Sequence, residues 1–287
     1  AEAGVNRVSL GAQSFDPAAL AWMHRTHDAA AIGAAVRTVR GAGIARLSLD
    51  LIFALPDQLR RDWRSDLDRA IALEPDHISL YGLTVEPGTA LARWIARGQS
   101  SPVDEQRYEQ EYLLAHEVLA AAGFEFYEVS NAARPSCEAR HNRAYWQLAP
   151  YLGVGPAAHS FDGTSRWWNE AAYAAWLRRV NAGERPVAAR EVLNPEQQRL
   201  ERTYLALRTR EGLELDEALA AKVEPWVRAG WAQVVRRDDG LAAGPATGSH
   251  AQESSEGPSR RPTAPRPYRL HLTPQGWLRL DELVATL

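Results

Sequence analysis

The run Leu47-Ser48-Leu49-Asp50-Leu51-Ile52-Phe53 limits the fold more than any other part of this chain. It is almost continuously apolar, as strands buried on both faces are. A helical pattern precedes it: Asp28 can cap a helix whose apolar positions Ile32, Val36 and Val39 share one face, and Gly43 closes it. A second helical pattern follows over residues 62–73. Residues 7–10 read as a strand ending at Gly11, and 78–83 as another. Residues 104–122 read as a helix closed by Gly123, and 124–129 as a further strand. Strands alternating with helices predict parallel pairing through right-handed crossovers, so the expected class is α/β.

Residues 131–168 lose this rhythm. The stretch is rich in Gly, Pro, His and Trp, is long for an idle connector, and has too many aromatics for disorder. Helix resumes near Glu170. Asn194-Pro195-Glu196-Gln197 then combines an N-cap, a proline at the first helical position and a capping-box glutamine. Helices, a two-stranded ribbon near residues 231–235 and a last helix capped by Thr273 predict a small winged-helix-like module. Its ribbon is interrupted by residues 238–267, a Gly/Ala/Ser/Pro/Glu tract expected to be disordered. The expected division is 1–130, 131–190 and 191–287.

Composition excludes several classes of protein. The 287 residues carry 33 basic and 36 acidic groups, a formal charge of −3, against the concentrated basic face of a nucleic-acid binder. The Arg260-Arg261 pair in the insert is too sparse to make one. All but one of the basic residues are arginine, the exception being Lys222. With the surplus of Ala and Gly this marks a GC-rich genome rather than a binding signature. No stretch is long and apolar enough for a membrane span, and no signal peptide opens the chain. One cysteine, Cys137, excludes an internal disulfide and fits a reducing cytoplasm. The only methionine is Met23 and the chain begins Ala1-Glu2-Ala3, so the expectation is a fragment lacking its N-terminus.

In parallel α/β folds the carboxyl ends of strands hold the chemistry; Gln13 follows the first strand, Asp50 lies in the second, and residues 84–89 leave the third. An ionised Asp50 flanked by Leu49, Leu51 and Ile52 needs a partner, because burying it alone is costly. Either a ligand or a neighbouring loop can serve. Arg25, in Met23-His24-Arg25-Thr26-His27, is open to two readings, a surface arginine or a carboxylate clamp. His24, His27, Cys137, His141 and His159 match no closed zinc spacing. His141-Asn142-Arg143-Ala144-Tyr145-Trp146 gathers an imidazole, an amide and two large aromatics. It suits either a packed aromatic corner or a pocket for a flat ligand with an axial imidazole.

Six segments carry a resemblance, in fixed order. They are Gly4-Val5-Asn6-Arg7-Val8-Ser9-Leu10-Gly11-Ala12-Gln13-Ser14-Phe15, Leu49-Asp50-Leu51-Ile52-Phe53-Ala54-Leu55-Pro56-Asp57-Gln58, and Tyr81-Gly82-Leu83-Thr84-Val85-Glu86-Pro87-Gly88-Thr89. Glu128-Val129-Ser130-Asn131, His141-Asn142-x-x-Tyr145-Trp146 and Tyr151-Leu152-Gly153-Val154-Gly155-Pro156-Ala157-Ala158-His159-Ser160 complete the set. Together they resemble the oxygen-independent coproporphyrinogen oxidase-like radical SAM proteins, and the HNxxYW element points to their heme chaperone (HemW) branch.

The resemblance implies the second half of a radical-SAM partial (β/α) barrel with a small helical C-terminal domain. It also implies S-adenosylmethionine (SAM), a [4Fe-4S] cluster and heme as cargo, delivered to hemoproteins, membrane-bound ones included. Gln13, Arg25 and Asp50 match SAM contacts, and His141 matches a histidine serving heme. Coproporphyrinogen III oxidation in porphyrin biosynthesis is the alternative activity. The chain departs from the pattern at Ala54 and Asp57, where glycine is usual, and lacks both the CxxxCxxC cluster motif and the glycine-rich SAM segment.

Overall fold

The structure, a computed structural model, describes residues 3–236 and 268–287. In chain order it begins β1 (Arg7–Gln13), α1 (Pro17–Trp22), α2 (Ala29–Gly41), β2 (Arg46–Phe53), α3 (Trp63–Ala72), β3 (His77–Gly82) and α4 (Ala90–Ala96). The chain continues through α5 (Glu105–Ala121), β4 (Glu125–Glu128), β5 (Asn131–Ala133), α6 (Arg140–Trp146), β6 (His159–Phe161), β7 (Ser165–Asn169), α7 (Tyr173–Asn181) and β8 (Val187–Val192). It closes with α8 (Pro195–Arg208), β9 (Leu213–Glu214), α9 (Glu217–Arg228), β10 (Ala232–Arg236), β11 (Tyr268–Leu272), α10 (Pro274–Trp277) and α11 (Leu280–Ala285). The expected α/β class is what the chain forms.

The main sheet has the order β1-β2-β3-β5-β4. β1, β2 and β3 are parallel, joined through α2 and α3. Asp28 and Asp62 accept from the backbone three residues on, which fixes where those two helices start. The alternating pattern predicts that the strand at 124–129 continues the parallel set. β4 does run parallel to β3, but a tight turn at 129–130 inserts β5 antiparallel between the two, so they do not pair directly. Ser130 N donates to Glu128 Oε1 at 2.9 Å and holds that turn, a local contact that strand periodicity does not register.

Alternation along β2 sorts its faces. Leu47, Leu49 and Leu51 are fully buried and pack with Ile32, Val36, Leu67, Ala115 and Leu119 of the helices. Ser48, Asp50 and Ile52 occupy the other face, where Asp50 and Ile52 are half-buried. The run that looks apolar on both sides is therefore helix-covered on one side and polar on the other.

The stretch beyond residue 131, read as irregular, contains the antiparallel sheet β6-β7-β8. Its strands are short and rich in Trp and Arg, so they show no clean period-two pattern. The C-terminal region forms a second antiparallel sheet, β10-β11-β9, with Ala232 opposite Leu272 and Arg236 opposite Tyr268. The predicted capping box is present: Asn194 Oδ1 accepts from Gln197 N at 2.9 Å, and Gln197 Oε1 accepts from Asn194 N at 2.8 Å. The expected last helix is broken into α10 and α11. Leu207, Val223, Trp226, Leu270 and Leu283 belong to the same apolar cluster as the main sheet. The insert expected at 238–267 lies outside the described residues.

One seam between these parts generates a prediction. His116 of α5 stacks on Phe126 of β4 at 3.5 Å and meets Trp277 of α10 at 5.7 Å. Its Nε2 is sealed and has no hydrogen-bond partner, and burial drives the imidazole pKa from 6.5 down to about 3. The unfolded chain therefore holds one more proton than the folded chain between those values. Stability from this group is complete above about pH 6.5 and falls by about 1.4 kcal/mol per unit as acid is added. Urea unfolding at pH 7 and pH 5 should show the parent losing about 2 kcal/mol more than His116→Phe. Equal losses would show that His116 is protonated in the folded protein.

Candidate functional site

The polar face of the main sheet is built by register. Asp50 lies opposite Ser79, Ser79 opposite Asn131, and Asn131 opposite Glu128, so four strands contribute one polar row. Ser9 of β1 joins it, its hydroxyl donating to Asp50 Oδ1 at 2.7 Å. The other Asp50 oxygen hydrogen-bonds to no described residue. A β-bulge between Phe126 and Glu128 lets the consecutive residues Tyr127 and Glu128 both serve this face. Glu128 is fully buried; it accepts from Ser130 N and from the Asn131 side-chain amide, and pairs with Arg208 of α8 at 2.8 Å. Burial pushes the Glu128 carboxyl up against the pull of Arg208. Tyr81, half exposed at the open end of β3, has its phenol pKa raised by burial first, with the charges of Asp50 and Glu128 adding to it.

Gln13 ends β1 in the left-handed region, with φ 66°. Its side chain folds back over Gly11, where a Cβ would stand 2.6 Å from Gln13 Nε2, so the glycine leaves room for the amide. Arg25 lies on the loop after α1, exposed and without a side-chain partner among the described residues. His27 Nε2, 3.2 Å from Ala12 O, ties that loop to the end of β1. Gln13 thus ends β1, Arg25 lies on the loop tied to that end, and Asp50 lies within β2; among the described residues no hydrogen bond or ion pair joins the three.

His141 sits apart from them, in the first turn of α6. It is exposed and hydrogen-bonds to no described residue. Its ring meets the edge of Tyr145 at 4.7 Å, and Tyr145 meets Tyr151 in the same way at 4.7 Å. Trp146, the other aromatic of the motif, lies beneath the Arg208 guanidinium at 4.5 Å. His159, also exposed, stacks on Trp168 at 5.6 Å. Cys137 is buried, with Arg46 against its sulfur and Arg7 against its carbonyl. The donor set of this chain, a single cysteine held in that way, does not fit a four-iron cluster.

Ser79, Glu128, Asn131 and Arg208 escape the sequence reading of single residues. The argument applied to Asp50, a carboxylate inside an apolar strand, applies equally to Glu128 beside Tyr127 and Val129.

No family model matches the chain. Among curated proteins, the heme chaperone HemW of Mycobacterium tuberculosis is 39% identical over 222 residues, covering 77% of this chain and 57% of that protein. The heme chaperone HemW of Synechocystis is 38% identical over 214 residues, covering 73% of this chain and 52% of that protein. Among solved structures, coproporphyrinogen III oxidase (HemN) from Escherichia coli, a radical SAM enzyme, matches with TM-score 0.70. That match has 18% identity and covers 99% of this chain and 64% of the oxidase. The chain belongs to the HemW/HemN-like radical SAM family. It spans little more than half the length of the curated relatives it matches. Its sheet and helices share the fold of the oxidase, and none of its described helices is long and apolar enough to cross a membrane.

Glu128 gives this site a stability test. Glu128→Ala strands the Arg208 guanidinium and should cost about 3–5 kcal/mol in urea unfolding. Glu125→Ala, which removes the exposed partner of Arg210, should cost under about 1 kcal/mol. Similar costs for the two would mean that the Glu128–Arg208 pair is solvated.

Proposed function

We propose that this chain is the heme-handling part of a heme chaperone that carries heme to recipient hemoproteins, membrane-bound ones included, from the cytoplasm. The observation that carries the proposal is His141, an imidazole exposed on α6 with no hydrogen bond at either ring nitrogen among the described residues and Tyr145 edge-on beside it. An axial ligand needs a free ring nitrogen, and a porphyrin edge needs apolar contact. A histidine serving only the core would be buried with its polar atoms satisfied.

In the same proposal Gln13, Arg25 and Asp50 hold SAM. Their chemistry fits an amino-acid nucleoside: a carboxylate to accept from ribose hydroxyls, a guanidinium to pair with the methionyl carboxylate, and an amide able to do either. The free oxygen of Asp50 and the unpartnered Arg25 support these roles. The [4Fe-4S] cluster that the family implies has no place in the donor set of this chain. Oxidation of coproporphyrinogen III stands as the alternative, and product analysis under anaerobic conditions separates it.

Two measurements test the proposal. In a chimera that places the N-terminal part of the Mycobacterium relative ahead of this chain, Asp50→Ala and Arg25→Ala should each weaken SAM binding by about 1–3 kcal/mol in calorimetry. Unchanged affinity in both variants would remove the SAM assignment. In heme titrations, His141→Ala should move the Soret band and weaken binding without abolishing it, because ring contact remains. Tyr145→Ala should weaken binding and leave the ligation spectrum alone. A destabilised His141→Ala protein with an unaltered Soret band would retire the axial ligand.

A further inference from the structure

His159 meets the same requirements as His141 and lies on a different element. The rings of His141, Tyr145, Tyr151 and Phe161 form one run, with centroids 4.7, 4.7 and 6.3 Å apart in turn. The His159 ring belongs to a second stack, on Trp168 at 5.6 Å with 26° between the planes. It is exposed and hydrogen-bonds to no described residue.

Strand register builds a platform around it. His159 lies opposite Trp168 and Trp168 opposite Ala189, so three strands set an imidazole, an indole and a methyl in one row. Two residues on, the same face of the sheet is closed: Phe161 is buried against Tyr151 and under the Arg166 guanidinium. The row at His159 stays open, with His159 exposed and Trp168 half-buried.

The loop that runs past His159 adds apolar surface. Gly153 lies so close that a Cβ there would stand 2.1 Å from His159 O, which excludes a side chain at that position. Its neighbours Leu152 and Val154 are 73% and 87% exposed. The backbone holds them there. Gly153 N donates to Ser160 Oγ and the Asn169 amide to Gly155 O, both at 2.9 Å, and Tyr151 and Phe161 exchange two backbone hydrogen bonds. Aliphatic side chains kept in water by a tied loop suit an apolar ligand that covers them.

We infer that His159 is a second heme-iron ligand, at a station of its own beside Trp168, Leu152 and Val154. The inference deepens the reading of this chain as a heme carrier and rests on it. A heme fits this set better than a bare metal ion. One imidazole is a poor chelate, no group of three His, Cys, Asp or Glu side chains that could hold a metal occurs among the described residues, and the flat and aliphatic neighbours match a macrocycle. Trp168 is a positioning residue here: its stack fixes the plane of the imidazole and leaves the ring nitrogens free.

The test is hemin titration of the whole chain, counting bound heme per chain, with the Soret band, the ferric spin state and thermal melts alongside. The parent should bind two hemes, and His159→Ala and His141→Ala one each. Added imidazole should restore the nitrogen-ligated spectrum of His159→Ala. Trp168→Ala keeps the ligand and should weaken the second heme about two- to tenfold, the range for one aromatic pair. His24→Ala, which removes another exposed imidazole beside a tryptophan, Trp94, should change nothing. If the parent binds one heme and His159→Ala leaves count and spectrum unchanged, the second station is overturned and the His141 reading stands. If either histidine variant removes the same single heme, the iron is shared and the separate station is overturned as well. If His24→Ala loses heme as His159→Ala does, binding follows any exposed imidazole and the station falls. If His141→Ala alone is silent, the His141 reading fails and the site at His159 stands.

Discussion

Arg61 imposes the constraint on which the rest of the described structure depends. Its side chain has no exposed surface, and such a charge is tolerated only when every neighbour is arranged around it. Arg61 donates to Ile52 O at 2.7 Å and to Glu111 Oε2 at 2.6 Å, and pairs with Asp66 at 3.3 Å. Glu111 also accepts from Ala54 N, and Asp66 accepts from Phe15 N and from the Ser14 hydroxyl. The ends of β1 and β2 and the helices α3 and α5 are thereby locked to one guanidinium. Burial raises the Asp66 carboxyl and lowers Arg61, so desolvation works against the cluster and the hydrogen bonds offset it. With that end of the sheet fixed, the polar row on its other face stays in register and Asp50 and Gln13 keep their places.

How much of this was legible depends on how local the signal is. Asp28, Asn194 and Thr273 cap helices where the sequence places caps, and Asp62 and Asp104, where helical patterns were read to begin, prove to be caps too, because capping is settled within three residues. The strands at 46–53 and 77–82 were legible from their apolar runs. The insertion of β5 was not, since its turn is held by a local Glu128 contact that strand periodicity does not register and its pairing with β3 is decided by residues distant in sequence. The strands of the β6-β7-β8 sheet were hidden for a related reason: Ser165-Arg166-Trp167-Trp168-Asn169 pairs with neighbours on both sides yet never alternates polar and apolar. Among candidate residues, Asp50 stood out because a carboxylate broke an apolar run. Arg61, Glu111 and His77 lie in segments where a charge or an imidazole looks ordinary, and only the fold shows them buried.

Two kinds of order meet at Tyr127 and Glu128. The β-bulge turns both side chains to the same face, one toward His77, the other toward Asn131 and Arg208. A strand without that bulge would send one of them into the apolar layer beneath Phe126. The helix that carries His141 thus meets the sheet through Arg208, which pairs with Glu128 on one side and lies over Trp146 on the other.

The far edge of the sheet is closed by the C-terminal region. Val129 N donates to Arg208 O at 3.2 Å and Arg210 N to Tyr127 O at 3.1 Å, while Glu128 bridges to Thr209. Beyond β1 no described strand pairs. A sheet with two open edges can add copies of itself without end, whereas one with a single open edge is satisfied by one partner and then has nowhere further to grow. The few hydrogen bonds between β4 and residues 208–210 therefore withdraw the β4 edge from any such addition.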